Sequence, residues 1–153
     1  MRNVIGYGLF FLMSLCVSAH AKVPEVQLQL LLQQHRGQIV YVDFWASWCA
    51  PCKHAFIWMN TLDKKFDGKV QVVAVNMDAD KTDALAFLNA NPADFPVIYN
   101  PSMSIGRAHK LKGMPSSIIY DKQGNKVAQF AGFNEEKMLR YEAILAELIK
   151  QRQ

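Results

Sequence analysis

Cysteine is scarce in this chain: three among 153 residues. That is too few for a disulfide-stapled mini-protein, which needs several pairs. Basic runs are missing too. No block of Lys or Arg is longer than two residues and the formal net charge is only +4, so there is no electrostatic footprint for nucleic acid. The eight glycines and six prolines are dispersed, which excludes collagen-like and low-complexity chains. Beyond the first twenty residues no apolar run is long enough to span a bilayer, which excludes a multi-span membrane protein. What is present, 51% apolar and 20% charged residues without a repeat or linker, fits one ordinary domain with a real core.

The sequence divides at residue 21. Arg2 supplies a positive start, the stretch from Val4 to Val17 is almost wholly apolar, and Ala19-His20-Ala21 fits a small-x-small cleavage pattern. Residues 1–21 therefore read as a secretory signal peptide cut after Ala21, and 22–153 as the working domain. The alternative is an uncleaved N-terminal anchor, against which Lys22, Pro24 and Glu25 end the apolar run early. Leu15 ahead of Cys16 is too bulky for a lipoprotein cleavage site. Cleavage removes Cys16 and leaves one Cys-x-x-Cys, Cys49 and Cys52, in an exported domain.

Periodicity places the elements. Val23 to Gln34 reads as a short helix ended near Gly37, and Ile39 to Trp45 as a buried strand, apolar on both faces. A helix then opens at the cysteine pair, with Phe56, Met59, Leu62 and Phe66 at helical spacing and Gly68 at its end. Val70 to Asn76 is a second buried strand, Asp80 to Asn89 a helix around Leu85 and Leu88, and Phe95 to Tyr99 a short strand. Ser102 to Leu111 is expected to be helical. Ser117 to Tyr120 and Lys126 to Phe130 flank a hairpin turn, and Asn134 caps a last helix whose inner face is Met138, Tyr141, Leu145 and Leu148. The class is α/β, a mixed sheet with helices on both faces.

Two cysteines three apart close too small a loop to add much stability, so the pair points to chemistry. At the end of a strand and the start of a helix, Cys49 faces unpaired backbone N–H groups and the positive end of the helix dipole. Both favour the thiolate, the reactive form. Pro51 falls in the first turn, where a missing N–H costs no helical bond. Cys49 is thus the expected exposed nucleophile and Cys52, one turn along, the resolving thiol. Lys53 stands where a c-type haem site needs His, and two Cys with scattered His35, His54 and His109 do not make a structural zinc set. Asp43, a carboxylate inside an apolar strand, is expected to accept the Cys52 proton through water, its pKa raised by burial; the alternative is an edge-facing Asp bonded to backbone.

The run Val42-Asp43-Phe44-Trp45-Ala46-Ser47-Trp48-Cys49-Ala50-Pro51-Cys52-Lys53 resembles the active-site segment of thioredoxins. The wider chain resembles the TlpA/ResA/DsbE-like branch of exported thioredoxin-like proteins, and Asp80 to Tyr99 matches that branch's central helix–strand insert. The likeness extends to Gly113-Met114-Pro115-Ser116-Ser117. It implies that Pro115 is a cis-proline facing the disulfide, that the backbone of Met114 contacts the substrate chain, and that Trp48 borders the substrate groove while Trp45 packs in the core. Two departures stand out. Ile57 replaces a helix-kinking proline, and Ala74 replaces a lysine near the buried Asp, which should leave Asp43 harder to ionise.

The implied function is thiol–disulfide exchange in the periplasm. The dithiol would reduce a disulfide-bearing exported protein and be recharged by a membrane-bound electron donor. A monomer without cofactor, metal or nucleic acid is expected. Two alternatives remain open: an oxidase or isomerase, since spacing cannot set the direction of electron flow, and a Cu(I)-handling module using the two thiolates with His54, His109 or methionines. Along the sequence those methionines are unclustered.

Overall fold

The computed structural model describes residues 23–151; the expected signal segment lies outside them. Five strands form one sheet in the order β3-β2-β1-β4-β5. β1 (Ile39–Trp45) is central, parallel to β2 (Val70–Asn76) and antiparallel to β4 (Ser116–Tyr120). β3 (Val97–Tyr99) runs parallel at one edge and β5 (Lys126–Ala131) antiparallel at the other. Every residue of β1 is buried, which is why it reads as an apolar run on both faces, interrupted only by Asp43.

Alternation along β1 sorts the core into two layers. Ile39, Tyr41 and Trp45 face α2 (Ala50–Lys65), α3 (Lys81–Ala90) and α5 (Glu135–Lys150). Val40, Val42 and Phe44 face α1 (Pro24–Gln34) and α4 (Ser104–Ala108). The first layer is the more aromatic. Trp45 stacks edge-on against Phe56 at 4.8 Å, and Tyr41 meets Trp58 at 5.3 Å.

Element ends follow local chemistry. Asp80 lies outside α3 as its cap, accepting the Thr82 N–H at 2.8 Å, and Asn134 caps α5 by accepting the Lys137 N–H at 2.9 Å. α2 ends where Asp67 and Gly68 both adopt positive φ. β3 is shorter than expected: Pro96, without an N–H, contributes only its carbonyl, which accepts from Ala74 at 2.9 Å. α4 is only five residues long, Lys110 turning left-handed at φ 54° soon after it. The inner face of α3 also differs from expectation. Leu85 is 49% exposed, and Ala84 with Phe87 and Leu88 makes the contact.

Candidate functional site

Cys49 is the N-cap of α2, in extended conformation, and the helix runs unbroken for sixteen residues with Pro51 in its first turn. Cys52 lies one turn on and is bonded to Cys49, their Cα atoms 5.4 Å apart. Cys49 thus sits at the positive end of the α2 dipole, as the sequence suggests, although its side chain accepts no capping hydrogen bond and the Cys52 N–H donates to the Cys49 carbonyl at 3.1 Å. One expectation needs correction. Cys49 is only 4% exposed and Cys52 is fully buried, so neither sulfur stands out in the oxidised state. What stands out is Trp48, 67% exposed, beside them.

Asp43 takes the α2/α5 side of the central strand. Its cross-strand neighbours are Ala74 on β2 and Ser117 on β4, so no lysine faces it, and the edge-facing alternative does not hold. It is 1% exposed and its Oδ2 has no hydrogen-bond partner. Burial alone pushes its carboxyl well above the usual range. Burial also raises the Tyr41 and Tyr141 hydroxyls, with the nearby Asp43 charge as a second cause. Cys52 belongs to this same packed layer.

Met114 precedes a cis peptide bond to Pro115. It is half-buried and packs against both core layers, whereas Pro115 is buried and its carbonyl accepts the Gly132 N–H at 2.7 Å. The Met114 backbone itself forms no backbone hydrogen bond among the described residues. Beside it a pocket of about 140 Å³ is lined by Met77, Met103 and Met114 with Gly106, Arg107 and Leu111. Methionines dispersed in the sequence therefore converge in space, which their spacing does not reveal. On the other flank a larger groove, about 840 Å³, runs between α2 and α5. It is bounded by Ala50, Pro51, His54 and Ile57 on one wall and Phe133 and Met138 on the other.

The histidines do not join the cysteines. His54 lines that groove, while His109 lies against Phe44 on the opposite face of the sheet. Among the described residues no three His, Cys, Asp or Glu side chains gather as a metal site. Sequence reasoning missed Asn76 and Asp78. Asp78 is 3% exposed at the end of β2 and accepts the backbone N–H of Ser47, two residues ahead of Cys49, at 2.9 Å. A polar pair i, i+2 closing an apolar strand was the available signal.

The family model described as Redoxin matches residues 19–145. The thiol-disulfide oxidoreductase ResA of Bacillus thuringiensis (strain Al Hakam) is 32% identical over 111 residues, covering 71% of this chain and 63% of the relative. The chain thus spans less than two thirds of that relative's length. Among solved structures, a Chlorobium tepidum protein described as a thiol:disulfide interchange protein DsbE superposes with a TM-score of 0.72 at 43% identity. The alignment covers 76% of this chain and 84% of that one.

Proposed function

The chain belongs to the redoxin family, in its thioredoxin-like ResA/DsbE branch, and from that premise we propose that it is an exported thiol–disulfide oxidoreductase that reduces protein disulfides. The observation that carries this reading is the Cys49–Cys52 disulfide set across the N-cap and first turn of α2. In the reduced protein the Cys49 thiolate attacks one sulfur of the partner's disulfide, forming a mixed disulfide and releasing one partner thiolate. The Cys52 sulfur then attacks Cys49, its proton passing through water to Asp43. The Cys49–Cys52 bond forms, the mixed disulfide breaks, and the second partner thiol leaves. Two electrons move from the dithiol to the partner.

Each neighbour has a role in this scheme. Helix-start N–H groups stabilise the Cys49 thiolate. Asp43, with a raised pKa and no cation opposite it, suits proton acceptance from an equally buried thiol. Trp48 and the unpaired backbone of Met114 offer an extended partner segment a stacking surface and a short edge to pair with, and Pro115 holds the floor of that groove. The apolar segment 1–21 with its Ala19-His20-Ala21 pattern supports export and cleavage after Ala21, and the reading takes the periplasm as the compartment and a membrane-bound donor as the source of electrons. The reading takes the chain as a monomer, since the exchange scheme needs only one Cys49–Cys52 pair.

The test is direct. The reduced protein should reduce insulin or a peptide disulfide, and Cys52→Ser should accumulate mixed disulfides through Cys49. Absence of exchange together with absence of trapped species would overturn the proposal.

A further inference from the structure

The loop that presents Cys49 is gripped from the end of β2. Asp78 accepts the Ser47 backbone N–H at 2.9 Å on Oδ2 and 3.1 Å on Oδ1, and the Ser47 hydroxyl at 2.9 Å on Oδ1. It also accepts the Asn76 side-chain amide at 2.7 Å, while its own N–H donates to Asn76 Oδ1 at 3.2 Å. Two backbone bonds extend the grip. The Trp45 carbonyl accepts the Met77 N–H at 2.8 Å, and the Cys49 N–H donates to the Ala46 carbonyl at 3.1 Å. The span from Trp45 to Cys49 is thereby tied down on both sides of Ser47.

Every side chain or N–H turned toward the Asp78 carboxylate is a donor. A neutral amide in its place would offer one acceptor oxygen and turn an NH₂ group against those donors, so the arrangement calls for a carboxylate. No Lys, Arg or His forms an ion pair with it among the described residues; the ion pairs there are Lys65–Glu142 and Lys69–Asp67. Asp78, buried and without an ion-pair partner among the described residues, is therefore hydrogen-bonded to Ser47, and at most about 7 Å of chain separates Ser47 from Cys49.

We propose that Asp78 is a positioning residue that fixes the redox loop and, through its charge, holds the Cys49–Cys52 couple toward the reducing side; this rests on the exchange activity proposed above. The reasoning is electrostatic. A fixed negative charge near Cys49 opposes the thiolate that the helix start favours. A less stabilised thiolate makes the dithiol form a stronger reductant. Unit charges about 10 Å apart at an effective dielectric of about 20 alter an equilibrium by on the order of tenfold.

The equilibrium with glutathione at pH 7 tests it. In that exchange the Cys49–Cys52 bond breaks, a glutathione disulfide forms, and two electrons and two protons pass from two glutathione thiols to the protein. Asp78→Asn should shift the constant toward the protein dithiol by on the order of tenfold, about 30 mV. Asp78→Ser, shorter and neutral, should shift it the same way, and keeps the test available if the amide does not fold. Ser47→Ala keeps the charge and should stay within twofold of the parent. Asp78 variants that melt lower but keep the parent constant within twofold would reduce Asp78 to a scaffold role and overturn the proposal. A parent chain that exchanges no disulfide with glutathione would instead overturn the activity itself.

Discussion

Replacing Asp43 by Asn probes the buried carboxylate with little change of shape. In the native chain Asp43 is buried, faces Ala74 and Ser117 across the strands, and has one oxygen without a hydrogen-bond partner among the described residues. Burial raises its folded-state pKa above the unfolded value of about 3.9. The sign follows. Below about pH 3.9 both states are protonated and Asp43 costs nothing as a charge. As the pH rises, the unfolded state ionises first, and the native state loses up to about 1.4 kcal/mol per pH unit until its own pKa is passed. Asn escapes this loss. At pH 7 Asp43→Asn should therefore be more stable by about 1–3 kcal/mol, the usual scale for an unsatisfied buried polar group. That is a rise in Tm on the order of 5 °C, and it should shrink to nothing near pH 4. The same variant should slow resolution of the mixed disulfide by roughly 100-fold, the lower range for a lost proton acceptor, with formation nearly unchanged. Thermal melts from pH 4 to 8 and rapid-quench analysis of the mixed disulfide read both effects. A stability gap that does not vary with pH, or equal slowing of the two steps, would refute the reasoning.

Two other outcomes are expected. In the reduced protein iodoacetamide should label Cys49 rapidly at neutral pH and spare Cys52, which mass spectrometry of the digested protein will show; faster labelling of Cys52 would reverse their roles. Leu145→Ala, at a fully buried position on α5 in the aromatic layer, should cost about 2–5 kcal/mol in urea denaturation without abolishing exchange.

The strands nearest the site were the most legible part of the sequence. β1 and β2 lie where short, β-branched apolar runs put them, because each is buried on both faces almost throughout. Cys49 at the N-cap of α2 was legible too: a strand, a short turn and a proline in the first helical turn leave it few other places. What the pattern could not show was convergence. Met77, Met103 and Met114 come from a strand end, a left-handed turn and the loop before β4, and only the fold brings them to one pocket. Leu85 misled because a short amphipathic helix at a sheet edge can roll by one residue and bury Ala84 instead. Asp78 escaped notice because its partner is the Ser47 backbone 31 residues earlier. Its meaning depends on β1 and β2 being paired in parallel, with Trp45 opposite Asn76.

The reduction potential of the Cys49–Cys52 couple tests the central claim most directly. If the dithiol reduces protein disulfides, equilibration with glutathione or dithiothreitol at pH 7 should give a value near thioredoxin's, roughly −270 mV. A value near roughly −120 mV would mark an oxidant and contradict the proposed direction of electron flow.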